Sequence, residues 1–597
     1  MRLLQTFPLL SALAVGLIKA AYAKTVVHDG NFIPDAILRV TSGNRNQSCV
    51  PEKEILLVNG TSPGPELRLT EGKTYWIRVY NDMVDQNFTM HWHGLTMAVA
   101  PFSDGTPGAS QWPIPPLHYF DYQLSIPVGV AGTYFYHSHV GLQAISATGP
   151  MIVVEADHPP YHYDGERIIF LQDVFMENDT YLAEGLEATP IRYSGDQTMV
   201  LVNGKGAGTS DDGNFTCNDT LSVINVECGK TYRLRFVGGT AISFNSFAIE
   251  GHDSLEVIEA DGSYTDKHNT SFLQIGTGQR FSVLLHTLAE PEKRQYWIQL
   301  ETRERPGVTR SYAVLNYDAP SDSPAPQFYP PTTPPLTLPP TDDNFLEYQL
   351  RPHVSATYSS RDMPTAAEVT RRVNITVHLS EAKLHFVYLE DGLPWYEDVP
   401  EEPYLVSLYK DDGIEFPSMA RAIKNQGLDP VSRAFPAEIG EVLEIVLQNT
   451  GSDGGEMETH PWHAHGAHYW DLGSGLGVYD AAANEAKWAS SPGMPVKRDT
   501  TMLYRNVIYA SNNTLAGWRA WRLRITEPGV WMVHCHILLH MVFGMQTVFV
   551  MGNSTEVLGQ VPRPEVEGYL TYGGSVNGNA SHYPEVVDFF DYWPENQ

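Results

Sequence analysis

Positive charge is scarce in this chain. Its 597 residues carry 39 Lys and Arg against 70 Asp and Glu, a formal net charge of −31 with histidine neutral. That deficit argues against a nucleic-acid partner, whose phosphates need basic patches, and against binding to anionic membrane surfaces. Cysteine is scarcer still. Only Cys49, Cys217, Cys228 and Cys535 are present, too few for a disulfide-rich scaffold. Beyond the N-terminus no stretch reaches the ~18 uncharged apolar residues that a spanning helix needs. Sustained helical periodicity is absent as well. What is abundant is Tyr and Phe (31 and 23), Gly (49) and Pro (42), in a chain that is 42 % hydrophobic and 18 % charged. This composition folds, and it favours short strands and many turns. A single core stops growing near ~250–300 residues, so several domains are required.

The one long apolar run, Leu3 to Ile18, follows Arg2 and precedes Ala21-Tyr22-Ala23. A basic start, an apolar stretch and a small-residue cleavage pattern predict a secretory signal peptide at 1–23 and a mature chain beginning near Lys24. Asn-x-Ser/Thr sites at Asn46, Asn59, Asn87, Asn178, Asn214, Asn218, Asn269, Asn374, Asn512, Asn553 and Asn579 suit a secreted glycoprotein. In an oxidising compartment, four cysteines permit one bridge with two thiols or two bridges.

Proline crowds the run from Asp318 to Asn344, which reads as an extended linker. A weaker boundary lies near 157–165. The expected organisation is 24–158, 159–318, a Pro-rich linker at 319–345, and 346–597. Within each part, short β-rich runs recur between turn residues, such as Glu54–Val58, Tyr75–Tyr80, Tyr232–Phe236, Val442–Leu447 and Gln546–Met551. The expected fold class is all-β, built from sandwiches or barrels.

Histidine carries the chemistry. Its frequency, 22 in 597, predicts about one His-x-His pair by chance. Four occur: His91/His93, His137/His139, His463/His465 and His534/His536. On a strand, spacing i, i+2 puts both imidazoles on one face. Eight converging imidazoles are too many for one ion, so a cluster of two or three metal ions is implied, and imidazole suits copper. The last pair brackets Cys535 in HCHILLHMVFGM. His540 follows closely, Met545 comes ten residues after the cysteine, and His460 opens HPWHAH. A Cys thiolate, two His and a weak axial Met make a blue-copper electron-transfer site. One short run thus touches two sites.

HWHG, YHSH, HPWHAHG and HCHILLHMVFGM, in this order, resemble the four copper motifs of the multicopper oxidases, with laccases and ascorbate oxidases nearest. NGTSPGPELRL, LVNGKG at Leu201–Gly206, IEADG at Ile258–Gly262 and PGVWMVHCH at Pro528–His536 extend the resemblance over nearly the whole mature chain. It implies three cupredoxin-like Greek-key domains and four copper ions. Type 1 copper would take His460, Cys535 and His540, with Met545 axial. Type 2 copper would take His91 and His463. The type 3 pair would take His93, His137, His139, His465, His534 and His536. The middle domain would hold no copper, which leaves His252 structural. Asp104 matches the family's acid near the cluster and is assigned as proton donor.

Several positions depart from the family pattern. A second acid is usual inside HCHIxxH, where this chain has Leu538 and Leu539, so the second proton route is open. HGH becomes Gly466-Ala467 here, with His468 one place late. Trp112 stands where relatives carry a cysteine that staples the first domain to the C-terminal tail. Cys49 resembles the cysteine linking domains one and two, with Cys217 as its partner and Cys228 as the alternative. Met545, where laccases of high potential carry Leu or Phe, implies a moderate potential.

The implied activity is one-electron oxidation of small phenolic or aromatic reductants at type 1 copper, coupled to reduction of O2 to water, in a secreted enzyme. Ascorbate oxidase is the alternative, supported by ETHPWH, GAHYWDLGSG, GWRAWR and Met545. A ferroxidase would need carboxylates beside the type 1 site, for which Glu456 and Asp196 are candidates. A non-catalytic copper-binding protein would not keep eight cluster histidines. A monomer is favoured over an oligomer.

Overall fold

The computed structural model describes residues 24–193, 195–317, 329–353, 362–380, 387–395, 402–510 and 514–588. The expected signal peptide, the start of the Pro-rich run and Asn512 lie outside the described residues. Strands dominate, and the longest helix among the described residues, Ala481–Ser490, has 10 residues. None is long and apolar enough to cross a membrane. The fold class is all-β.

Apart from a two-stranded sheet that pairs Lys24–Val27 with Glu585–Asp588, the sheets among the described residues come in three successive pairs along the chain. The first region pairs Lys53–Val58, Ala36–Arg45, Lys73–Asn81 and Tyr119–Ile126 in one sheet, and Leu67–Thr70, Thr148–Val154, Gly132–His137 and His91–His93 in the other. The middle region follows from Gly165 and the third from Arg371. Each region contains the same kind of parallel pair: Ala36 opposite Ile77, Gly165 opposite Tyr232, and Arg371 opposite Leu443. A parallel pair demands a crossover, so one topology recurs three times.

The regions are tied together by buried polar groups as well as by apolar packing. Cys49 is bridged to Cys217, joining the first region to the middle one, and Cys228 stands outside that bridge. The buried Glu259 carboxylate in the middle region accepts from Thr133 N (2.5 Å) and Thr133 Oγ1 (2.9 Å) in the first. Trp112 packs edge-on against Tyr572 of the C-terminal segment, 6.0 Å between ring centres. An aromatic contact therefore joins the first region to the C-terminal segment. The described part of the Pro-rich run is not loose. Gln299 pairs with both backbone groups of Leu336, and Gln274 donates to the Pro340 carbonyl. Phe345, Leu346 and Leu350 are buried in the core of the middle region.

Seven strands and one helix position the site. They are β1 (His91–His93), β2 (Gly132–His137), β3 (Leu273–Ile275), β4 (Arg280–His286), β5 (His460–Ala464), β6 (Thr500–Leu503), β7 (Gly529–Cys535) and α1 (Leu538–Val542). Register does much of the work. On β1 and β2, His91 lies opposite His137. In the third region β5 lies between β6 and β7, which sets His463 opposite both Thr500 and His534, and Trp462 opposite Cys535. Directly opposed residues in antiparallel strands sit ~4.5–5.5 Å apart at Cα. A slip of one residue would turn every histidine to the wrong face.

Candidate metal centre

The four His-x-His pairs converge between the first and third regions. His93, His137 and His536 form one triad, His139, His465 and His534 a second, and His91 and His463 meet beside His93, with ligand atoms in each group within 4.8 Å of one another. All eight residues are at most 3 % exposed. The sequence motifs do not reveal how six histidines divide into two triads. The tertiary structure does.

Hydrogen bonding at the rim decides which nitrogen faces inward in seven of the eight rings. Nδ1 of His91, His137, His463 and His534 points at the carbonyls of Asp104 (2.7 Å), Ser138 (2.7 Å), Asp499 (3.0 Å) and Cys535 (2.9 Å). A carbonyl only accepts, so Nδ1 carries the hydrogen and Nε2 keeps a bare lone pair. His465 Nδ1 donates to Asp104 Oδ2 at 2.9 Å, again leaving Nε2 bare. Thr277 Oγ1 donates its one hydrogen to the Thr240 carbonyl at 2.5 Å, so toward His536 Nδ1, at 3.0 Å, it can only accept. Likewise Thr500 Oγ1 donates to Asp499 Oδ1 (2.8 Å) and accepts from His93 Nε2 (3.1 Å), so His93 turns its bare Nδ1 inward.

Bare nitrogens then face each other. His465 Nε2 and His534 Nε2 are 3.1 Å apart, as are His93 Nδ1 and His536 Nε2. With no hydrogen between them, the opposed lone pairs repel. Nε2 of His91, His137 and His463 is buried with no hydrogen-bond partner at all, and each orphaned group costs about 1–3 kcal/mol. A cation resolves both problems, since two nitrogens each about 2 Å from one ion lie a little over 3 Å apart. The donor set fits a multi-ion copper cluster.

Burial favours the neutral, ligating form of seven of these imidazoles, His463 among them. It pushes His91, His93, His465, His534 and His536 well below the ordinary range and His137 down to about 3, with repulsion from neighbouring imidazoles adding to it. The folded chain therefore binds fewer protons than the unfolded chain once pH falls below the ordinary imidazole value near 6.5. Stability is lost as pH falls from there, by up to about 1.4 kcal/mol per histidine per pH unit. Protein stripped of copper by a chelator should show a thermal midpoint that drops steeply between pH 6.5 and pH 4. The loaded protein should resist, because bound metal competes with protons. A flat profile for the stripped protein would contradict this account.

A second, smaller set lies on the other face of β5 and β7. Cys535 Sγ is 3.8 Å from His460 Nδ1 and 3.7 Å from His540 Nδ1, and those nitrogens are 3.1 Å apart. Two imidazole nitrogens and one thiol sulfur are the donor set of a blue-copper site. Burial lowers His460 to about 3 and His540 to about 4. Met545 is fully buried, and its carbonyl accepts from Cys535 N at 3.0 Å. A pocket of about 390 Å³ opens beside His540, with Tyr193, Ile242, Glu456, Glu458, Leu539 and Phe543 among its walls. Glu458 Oε2 lies 3.4 Å from His540 Nε2.

Two buried carboxylates flank the cluster, and their states differ. Burial pushes Asp104 up to about 6, against the opposing Thr106 hydroxyl. Burial also pushes Asp499 up, but the Arg280 guanidinium outweighs it and holds that carboxyl well below its ordinary range. The sequence reading missed Asp499, for which the run Lys497-Arg498-Asp499 at the entry to a buried strand was the one signal. Leu538 and Leu539 open α1 as buried apolar residues and bring no acid to the cluster. The displaced His468 reaches the Gly94 carbonyl (2.9 Å) and Asp499 Oδ2 (3.1 Å). His252 stands apart, bonded to Tyr317 and the Glu250 carbonyl. Asp196 is paired with Arg305, and Glu456 accepts from Ser452 Oγ.

Comparison with known proteins agrees with this geometry. Three family models, each described as multicopper oxidase, match residues 39–158, 165–320 and 409–555. The chain is 45 % identical to "Laccase-like multicopper oxidase 1" of Thermothelomyces thermophilus, over 98 % of this chain and 97 % of that one. It is 41 % identical to "Multicopper oxidase aurL2" of Gibberella zeae, over 96 % and 97 %. Among solved structures, Fet3p, described as a multicopper oxidase that functions in iron import, aligns with a TM-score of 0.67 at 22 % identity, covering 94 % of this chain and 99 % of that one. At that identity the likeness speaks for the fold.

Proposed function

The chain belongs to the multicopper oxidase family, and on that premise we propose that it is a secreted laccase-like enzyme that oxidises small phenols at the expense of O2. Its use would be oxidative coupling of aromatic metabolites or pigment formation. Bound copper supplies one-electron oxidation at one centre and four-electron reduction of dioxygen to two waters at the other. In this reading His460, Cys535, His540 and Met545 would hold type 1 copper. His91 and His463 hold type 2. His93, His137 and His536 hold one type 3 ion, and His139, His465 and His534 hold the other. The opposed bare nitrogens of His465 with His534 and of His93 with His536 carry this assignment.

The protein's own groups divide the remaining work. Cys535 is bonded in sequence to both His534 and His536, so one run links the substrate side to the cluster. Complete burial of the eight imidazoles excludes bulk water. Asp104, which no Arg or Lys among the described residues clamps, is the proton-holding acid, while Asp499, clamped by Arg280, serves as a fixed anion. In the pocket, Ile242, Leu539 and Phe543 offer apolar walls to a ring. Glu458 can accept from a phenol O–H presented to the edge of His540.

The charge of the pocket separates the alternatives. Glu456 and Glu458 line it, and the Arg305 in its wall is already paired with Asp196. That surface disfavours ascorbate, an anion at neutral pH. Fe(II) would need a cluster of acids. Among the described residues, no group of three ligating side chains gathers at the pocket apart from His460, Cys535 and His540.

Oxygen uptake of the copper-loaded protein with a simple phenol, ascorbate and Fe(II) in parallel tests this reading. Uptake is expected with the phenol, with KM raised about tenfold in Glu458→Leu, the equivalent of one lost charged hydrogen bond. Turnover should fall in Asp104→Asn. Uptake with ascorbate alone would establish the ascorbate oxidase alternative, and uptake with Fe(II) alone a ferroxidase.

A further inference from the structure

The middle region supplies none of the copper ligands assigned above, yet it touches the cluster. The turn joining β3 and β4, Gly276-Thr277-Gly278-Gln279, enters between the first and third regions. Gly278 has φ +83°, and a Cβ added there would sit 3.0 Å from the His536 ring and 3.1 Å from His93. The turn is held from both sides. Gly278 N donates to the Gly238 carbonyl at 2.8 Å, and Gln279 Nε2 donates to the Thr500 carbonyl at 3.3 Å. Thr277 is 1 % exposed.

We propose that Thr277 is a positioning residue for the trinuclear copper cluster, accepting from His536 Nδ1–H so that His536 presents a bare Nε2 to the metal. The inference rests on the ligand assignment above. Four of the inward-facing histidines donate the equivalent bond to a carbonyl of their own region. His536 has none, because β7 ends at Cys535 and the chain turns toward α1. Its Nδ1 meets a side chain borrowed from a region 259 residues away. The hydroxyl suits the task because its hydrogen is committed to a carbonyl, Thr240 O at 2.5 Å or His536 O at 3.1 Å. Only its lone pairs remain for the imidazole. Without them, the hydrogen could shift to Nε2 or the ring could rotate, and either change removes a ligand from the His93/His137/His536 ion. Outer partners of this kind typically change metal affinity by about 10–100-fold.

The test is copper affinity, read apart from turnover. Parent, Thr277→Val and Thr277→Ser are dialysed against a graded copper chelator and their metal content measured. The visible absorption of the Cys535 site serves as internal reference for folding. Thr277→Val, isosteric but without the hydroxyl, is expected to need about 10–100-fold more free copper to fill the cluster. Thr277→Ser, which keeps the hydroxyl, should match the parent, and the Cys535 absorption should be unchanged in both. If Thr277→Val does not fold, Thr277→Ala carries the same comparison. Equal affinity in parent and valine variant would overturn the inference, as would a serine variant as weak as the valine one, which would point to the methyl group. A parent that holds copper only at Cys535 would overturn the ligand assignment, and this inference with it.

Discussion

Cys535→Ser is expected to erase the intense visible absorption of the protein and to bring oxygen uptake with a phenol below detection. The two losses share one cause. Sγ is the only soft donor in the His460/Cys535/His540 set, and thiolate is the ligand that produces a blue-copper site. A serine hydroxyl is hard and stays protonated near neutral pH. Loss of an outer hydrogen bond alone costs about 10–100-fold, so loss of this ligand should exceed that range. The same substitution should spare the cluster, because His534 and His536 keep their rim bonds to the Cys535 carbonyl and to Thr277. Metal analysis should find the cluster copper retained while the colour is gone. A serine variant that kept both colour and turnover would place the electron-accepting copper elsewhere.

Arg280→Met is expected to destabilise the fold by about 3–5 kcal/mol, the usual result of removing one partner from a buried ion pair. Arg280 donates to both oxygens of Asp499 at 2.6 Å, to the Gly278 carbonyl at 2.9 Å and to the Thr133 carbonyl at 3.1 Å. Its side chain is fully buried and Asp499 is 1 % exposed. One guanidinium thus joins all three regions, and methionine fills much of its volume while removing the charge. The pH dependence distinguishes this from a packing defect. In the parent, Asp499 has a depressed pKa, so its contribution is present above the ordinary carboxylate value near 3.9 and lost as pH falls through the depressed one. In the variant, a buried carboxylate without its cation is penalised at neutral pH and relieved by protonation. The gap in denaturation midpoint should therefore be widest near pH 7 and narrow toward pH 4. A gap that ignored pH would mean that Arg280 acts by shape alone.

Much of the site is legible in the sequence. His-x-His spacing is a local property, and strand geometry converts it directly into two imidazoles on one face. Cys535 between two such histidines places two sites back to back for the same reason. Met545 follows from the same run, as the thioether that completes a Cys and two His, whereas Asp104 needed the family resemblance, and the choice of Cys217 over Cys228 as the partner of Cys49 was settled by the tertiary structure.

Three things are not legible there. Thr277, Asp499 and Glu458 are common residue types; nothing marks Thr277, and the charged run ending at Asp499 and the ETHPWH run opening on Glu458 do not say what either side chain meets. Their roles come from where they are brought: Thr277 to His536, Asp499 between Arg280 and His463, Glu458 to the edge of His540. The division of six of the histidines into two triads is equally hidden, because His93 and His536 lie 443 residues apart. By itself the sequence determined the ligand types, the all-β class and the separation into a cysteine site and a histidine cluster, since side-chain chemistry and i, i+2 spacing act over a few residues. Which imidazoles gather into each triad, which nitrogen seven of them turn inward, and which acid is held ionised were decided by the tertiary structure alone, because those depend on distances and hydrogen bonds between strands that only the packing of three regions brings together.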